Sequence, residues 1–113
     1  KEVREAAVVS SLLVKLQGID GTGGSFSQVI RQGGSVRIGR NPNTNDIVIK
    51  TDRQVSGNHC TISFIDGNLI IADVGSKNGT YLNNVRLETH KVISNHDILK
   101  IGKQSFRIMF KRL

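Results

Sequence analysis

The stretch Cys60-Thr61-Ile62-Ser63-Phe64-Ile65, then Asp66-Gly67, then Asn68-Leu69-Ile70-Ile71-Ala72-Asp73, decides the fold. Cys60, Ile62 and Phe64 alternate with Thr61 and Ser63, and in an extended chain every second side chain falls on one face. Asp-Gly accepts the positive φ that a tight hairpin demands. The segment reads as a half-buried strand, a turn and a second strand. The same alternation recurs at Phe106-Arg107-Ile108-Met109-Phe110, which puts Phe106, Ile108 and Phe110 on one face.

Outward from this stretch, turn signals come at short intervals: Asp20-Gly21, Gly33-Gly34, Asn41-Pro42-Asn43, Asn78-Gly79, Asn83-Asn84 and Ile101-Gly102-Lys103. Between them strands are expected near 8–16, 26–31, 35–39, 46–49, 60–65, 68–73, 80–82, 85–86, 97–101 and 104–110. A helix over 3–16 competes at its start, where Glu2, Arg4, Glu5, Ala6 and Ala7 are acceptable helix formers. From Val8 onward the β-branched residues and the Leu12, Val14, Leu16 alternation favour a strand. Many short strands without a clear helix point to a β-sandwich or barrel.

With 113 residues the chain is one domain's worth and large enough for a single core. At 37% hydrophobic and 22% charged residues it has the composition of an ordinary globule rather than a disordered chain. The longest apolar stretch, Ala6 to Leu16, is broken by Ser10, Ser11 and Lys15 and is too short to cross a bilayer, so no membrane insertion is expected. It also lacks the cleavage site of a signal peptide. Position 1 is Lys rather than Met, as in a piece cut from a longer protein. Cys60 is the one cysteine and has no internal disulfide partner, which suggests a reducing compartment.

A formal charge of +7 draws the chain toward anions before contact. Five pieces that stop alternating runs are expected to gather at loop tips as one anion-binding rim: Ile38-Gly39-Arg40, Ser56-Gly57-Asn58-His59, Gly75-Ser76, Lys77-Asn78-Gly79-Thr80 and Asn83-Asn84. Arg40 shares the parity of Val36 and Ile38, so it is expected at the strand's mouth, where its planar fork suits phosphate or carboxylate. The plain alternative is a strand-end arginine paired with Asp46 or Asp52. Ser56, Gly57 and Asn58 offer a hydroxyl, an unhindered N–H and an amide to an oxyanion.

Catalysis and cofactors find little support. His59 beside Ser56 or Cys60 would need an orienting carboxylate, and residues 59 and 60 point to opposite faces, so a structural histidine satisfied by loop backbone is the better reading. Gly21, Gly23 and Gly24 lack the spacing of a dinucleotide loop. His59, His90, His96 and Cys60 lack zinc-ligand spacing, and the acidic residues show no calcium loop, so no metal and no cofactor is expected. A single-strand nucleic-acid binder would add aromatic platforms, whereas the chain has Tyr81 and four Phe, at least three of them on core parity.

Taken in order, Ile38-Gly39-Arg40, Asp46-Ile47-Val48-Ile49, Val55-Ser56-Gly57-Asn58-His59-Cys60, Asp73-Val74-Gly75-Ser76-Lys77-Asn78-Gly79-Thr80-Tyr81-Leu82-Asn83 and Asp97-Ile98-Leu99-Lys100-Ile101-Gly102 closely resemble a forkhead-associated (FHA) domain. The resemblance covers about residues 10–112 and implies an all-β, eleven-stranded antiparallel β-sandwich of the FHA / SMAD-like kind. A domain over 8–113 with an N-terminal flank at 1–7 is expected. The resemblance also implies phosphothreonine-peptide binding at the loop apices. Arg40 then matches the phosphate contact, Ser56 a hydroxyl donor and Asn78 the residue that holds the peptide backbone, with Gly57 and Lys77 as further phosphate donors.

Gly39, His59, Gly79 and Thr80 match positions that brace the loops. Arg53, Gln54 and Asn58 are candidates for reading the flanking peptide. Gly57 stands where relatives often carry Arg, Lys or Asn, leaving compensation to Lys77, Asn58 or Arg53. Gln54 stands where some relatives use a charge to read the third residue after the phosphothreonine, so no strong demand for an acid is expected there. The implied protein is a phosphorylation-dependent adaptor, not an enzyme. The competing functions are a scaffold of the same fold that docks a partner without phosphate, and a charge-driven nucleic-acid binder for which nucleic acid is not obligatory. Nothing in the sequence sets the oligomeric state.

Overall fold

The computed structural model describes residues 11–19 and 23–113. Eleven strands follow one another: β1 (Ser11–Gly18), β2 (Ser25–Arg31), β3 (Ser35–Gly39), β4 (Ile47–Val48), β5 (Cys60–Ile65), β6 (Asn68–Asp73), β7 (Thr80–Leu82), β8 (Val85–Arg86), β9 (His90–Val92), β10 (Ile98–Ile101) and β11 (Gln104–Arg112). They form two sheets, a six-stranded one ordered β2-β1-β11-β10-β7-β8 and a five-stranded one ordered β4-β3-β5-β6-β9. Pairing is antiparallel throughout except where β4 lies parallel to β3, Ile38 opposite Ile47. The architecture is a β-sandwich, one of the two all-β arrangements that the alternating pattern allows and the one that the resemblance implies.

The inward parity of each strand makes the core. Leu12, Val14 and Leu16 of β1 and Phe106 and Ile108 of β11 face Val36 and Ile38 of β3, Cys60, Ile62 and Phe64 of β5, and Leu69 and Ile71 of β6, all nearly fully buried. Phe26 and Phe106 close one part of it edge to face, with centroids 5.9 Å apart. Burial of this set is the main favourable term of folding, and strand parity decides which residues supply it.

The expected strands 35–39, 60–65, 68–73, 80–82 and 85–86 coincide with β3, β5, β6, β7 and β8. The first strand begins at Ser11 within the described residues; the flank 1–7, the domain boundary at 8 and the helix weighed from residue 3 fall outside them apart from 11–16, which is strand. One strand has no counterpart in the sequence reading. β9, His90–Val92, is an edge strand with all three residues exposed, so it carries no alternation; its ladder to β6 through Ile70↔Val92 and Ala72↔His90 creates it.

Strand directions sort the connections. β3 ends, β5 begins, β7 begins and β10 ends at the same end of the sandwich, since Ile38 pairs with Cys60 and Ile101 with Thr80. The β3–β4, β4–β5, β6–β7 and β10–β11 connections therefore share that end. The turn Asn83-Asn84 closes the other end of β7, with left-handed φ values of 51° and 69°. Its backbone and side chain are tied to Asp97 and Ile98: Asn83 N–H donates to Ile98 O at 2.8 Å, and Ile98 N–H to Asn83 Oδ1 at 2.9 Å. The expectation that Asn83-Asn84 joins the anion-binding rim is thus corrected. A turn signal marks a loop tip but not which end of the sandwich the tip occupies.

Candidate functional site

Arg40 is the first residue beyond β3 and is exposed, as strand parity at a mouth requires. Its backbone N–H donates to Ser56 O at 2.9 Å and its Nε to Val55 O at 3.0 Å, so the guanidinium lies along the β4–β5 loop. The plain alternative fails because both acids are occupied. Asp46 accepts from Arg37, through its backbone N–H at 2.8 Å and its Nε at 3.2 Å. That hydrogen bond and charge hold the Asp46 carboxyl below its ordinary value. Asp52 is buried and accepts two backbone amides, Gln54 N at 2.9 Å and Lys103 N at 2.6 Å. Among the described residues, the salt bridge formed is Arg37–Asp46, and Arg40 keeps its terminal nitrogens for other acceptors.

The β6–β7 loop approaches the same segment from the other side. Lys77 N–H donates to Ser56 Oγ at 2.9 Å and Asn78 Nδ2 donates to Gln54 O at 3.0 Å. Ser56 Oγ therefore spends a lone pair on Lys77 and retains its own O–H as a donor. Asn78 uses one of its two amide hydrogens and keeps the other, with Oδ1, for a ligand. Residues 54–56 are thus the seam on which Arg40, Lys77 and Asn78 converge. Lys77, Asn78, Arg53 and Gln54 are all exposed around it.

Buried hydrogen bonds fix this seam from below. His59 is fully buried; Ser56 N–H donates to its Nδ1 at 3.0 Å, which leaves Nε2 as the protonated nitrogen donating to Gly79 O at 2.9 Å. One neutral ring therefore ties the β4–β5 loop to the β6–β7 loop. Asp73 gathers four donors: the Gly75 and Ser76 amides at 2.8 and 2.9 Å, the Thr80 hydroxyl at 2.7 Å and the Ser76 hydroxyl. Burial alone would raise its carboxyl, but these hydrogen bonds, led by the Ser76 and Thr80 hydroxyls, bring it down to about 2. Ser76 Oγ in turn accepts Gly79 N–H at 2.9 Å, so its hydroxyl is consumed inside the loop.

Two glycines are set by space and φ. A Cβ on Gly39 would overlap the Gly57 carbonyl and the Asn45 amide, which donates to Gly57 O at 2.6 Å and Asn41 O at 2.8 Å. Gly79 has φ +90°, and a Cβ there would stand 2.8 Å from Nε of Arg86. Asn58 is directed to bracing on this side, its Oδ1 accepting the Thr44 hydroxyl at 2.6 Å. Gly57, by contrast, is open: a Cβ would meet only Asn41, at 3.9 Å. Arg40, Asn41, Pro42 and Gly57 line a shallow depression of about 270 Å³, and Thr51, Asp52, Arg53, Gln54, Lys103 and Gln104 line another of about 390 Å³.

Asn45, Asp73 and Arg86 had no assigned role in the sequence reading, and Asp52 entered it only as a possible partner of Arg40, not as the holder of the Gln54 and Lys103 amides. Asp73 was legible in principle, because an Asp three residues before Ser is an Asx-type turn former. Asp52 was not, since its partner Lys103 is 51 residues away.

A model of the FHA domain family matches residues 36–102, which takes in every piece of this site. The chain belongs to the FHA domain family. It is 39% identical over 75 residues to an FHA domain-containing protein of Arabidopsis thaliana, the alignment covering 65% of this chain and 19% of that protein. The chain therefore spans about a fifth of the length of that curated relative. The solution structure of the FHA domain of an Arabidopsis thaliana hypothetical protein superposes with TM-score 0.74 at 32% identity, over 91% of this chain and 87% of that one. A structure from a study of phosphothreonine-dependent FHA domain interactions superposes with TM-score 0.75 at 28% identity, over 89% and 99%.

Within this FHA domain the described residues hold no group of three His, Cys, Asp or Glu placed to bind a metal, and no helix long and apolar enough to cross a membrane. Cys60 is buried, and burial foremost, then the nearby Asp73 charge, pushes its thiol far above the ordinary range.

Proposed function

We propose that this FHA domain binds phosphothreonine-containing segments of a partner protein at the seam formed by residues 54–56. One observation carries the reading: Arg40, Lys77 and Asn78, from two separate loops, are all hydrogen-bonded to three consecutive residues, Gln54, Val55 and Ser56. A guanidinium fork, an ammonium and a free hydroxyl then share one exposed rim, and the carboxamide of Asn78 stands next to them to hold the peptide backbone. Gly57 contributes an accessible backbone. Charge-assisted hydrogen bonds of about 1.5–3 kcal/mol each, three or four in number, offset the cost of association to leave a micromolar complex. The solved relative concerned with phosphothreonine-dependent interactions supports the choice of ligand.

Gly39, His59, Gly79 and Thr80 brace the rim in this reading; Arg53 and Gln54 flank the path of the peptide beyond the phosphate. Binding rather than catalysis is the role, because His59 has both ring nitrogens occupied and Cys60 is neither exposed nor ionised at neutral pH. A product of a protein kinase as ligand places the domain inside the cell, in cytoplasm or nucleus. Calorimetry with a phosphothreonine peptide and its unphosphorylated twin, on this chain and on Arg40→Ala, tests the proposal. Equal affinity for the two peptides would overturn it.

A further inference from the structure

The positive charge is not spread evenly over the sandwich. Strand parity places Lys15 of β1, Arg31 of β2, Arg86 of β8, Lys100 of β10, and Arg107 and Lys111 of β11 on the outer face of the six-stranded sheet, all exposed. No carboxylate occupies an outward position on those strands. On the five-stranded sheet, the outward Arg37 is neutralised by Asp46, the strands beside it present Ser35, Ser63, Thr61 and apolar residues, and the further basic side chains, His90 and Lys91, are confined to the edge strand β9.

The basic face also has a recess. Leu13 and Met109 are half-buried between Lys15 and Lys111, and with Asn95, His96 and Phe110 they line a depression of about 270 Å³. A leucine-sized side chain fits it, with lysines on either rim to meet carboxylates. At the opposite end of the same face Lys100 lies over the Tyr81 ring, Nζ 5.8 Å from its centroid, and the Arg86 guanidinium packs on Gly79 beside Asn78. The face thus runs from the candidate rim along β11, whose nine residues extend about 30 Å.

We infer that the outer face of the six-stranded sheet docks an acidic polypeptide segment carrying an apolar anchor, with the anchor seated between Leu13 and Met109. Charge complementarity selects an acidic partner. The recess selects a polypeptide, since a phosphodiester backbone has no apolar group to fill it. Tyr81, the aromatic side chain at an outward strand position, lies under Lys100 instead of being open to a stacked base. Leu13 and Met109 are recessed rather than protruding, which suits a side chain entering and not a bilayer being entered. A partner held by its phosphothreonine could continue onto this face at Arg86, but the docking does not depend on that rim.

The test uses the whole chain and an unphosphorylated glutamate-rich peptide with one central leucine. Fluorescence anisotropy reads the affinity, and methyl NMR of Leu13, of Val29 opposite it on β2, and of Met109 reads the place. Binding is expected to shift those methyls, to weaken about tenfold in Lys15→Glu/Lys111→Glu, and to stay within about twofold in Arg40→Ala. A glutamine-for-glutamate peptide should not bind. Unshifted methyls, undiminished binding to the double variant, equal binding of the glutamine peptide, or loss of binding in Arg40→Ala would each overturn the inference. So would tighter binding of a single-stranded oligonucleotide or phosphatidylserine vesicles to the same methyls.

Discussion

The Lys77 amide donates to Ser56 Oγ at 2.9 Å, so a hydroxyl of one loop is oriented by the backbone of another. Because the oxygen accepts from Lys77, its own proton is directed away from that amide, toward solvent or a ligand. Ser56→Ala should weaken phosphothreonine-peptide binding about tenfold to a hundredfold, the worth of one hydrogen bond to a charged group. The exposed Lys77 amide can turn to water, so the thermal midpoint should fall by only a few degrees, near the effect of about 1 kcal/mol. Calorimetry beside a melting curve separates the two.

Arg40 offers its fork while its Nε is anchored on Val55 O. Arg40→Ala should reduce phosphopeptide affinity by about a hundredfold or more, since two charge-assisted contacts are lost together. Arg40→Lys should recover only part of this, because an ammonium keeps the charge without the bidentate geometry. Folding stability should change by less than about 1 kcal/mol in either variant, a value read from urea unfolding.

His59 has the larger structural burden. It is fully buried, and replacing it by Ala leaves the Ser56 N–H and the Gly79 carbonyl without partners beneath the rim. His59→Ala should cost about 3–4 kcal/mol, from two unpaired buried groups and a cavity. Phosphopeptide affinity should fall as well, although His59 reaches no ligand. A variant that keeps wild-type stability would contradict the bracing role.

Asp73 sets the acid limit of the loop. Its folded-state carboxyl is held to about 2, below its ordinary 3.8. A depressed folded value means that the stabilisation is fully present above the unfolded value and is lost as the pH falls through the folded one. Stability should therefore decline between about pH 4 and pH 2. Asp73→Asn should flatten that decline and lower stability at neutral pH by about 2 kcal/mol, because an amide cannot accept from four donors at once. Urea unfolding at several pH values compares the two slopes.

What the sequence disclosed follows from the range of the forces involved. β5 and β11 were legible because alternation is a local consequence of burial on one face, and the loop tips were legible because Asn-Gly and Asp-Gly encode positive φ. β9 was not, since His90, Lys91 and Val92 are all exposed and are held only by the distant β6. The Asn83-Asn84 turn was recognised as a turn and assigned to the wrong end, because only the pairing of β7 with β10 fixes direction. Of the site, Arg40 stood out by parity, whereas the convergence of Lys77 and Asn78 on residues 54–56 required contacts across 21 and 24 positions.

Gly57 offers a gain of function instead of a loss. A side chain placed there meets only the Asn41 Cβ at 3.9 Å, and its φ is not in the left-handed region, so substitution is neither crowded nor strained. The Gly57 carbonyl, which accepts Asn41 N–H and the Asn45 amide, is unaffected by a side chain on its Cα. An arginine there would overlook the depression that Arg40 borders. Gly57→Arg should therefore tighten phosphopeptide binding about threefold to tenfold by one more charge-assisted contact. It should also stabilise the fold by about 0.5 kcal/mol, because the unfolded chain loses the freedom of a glycine. The gain should shrink at high salt, as screening predicts for an exposed cation. An arginine that leaves phosphopeptide affinity unchanged at low salt would place the phosphate away from Gly57.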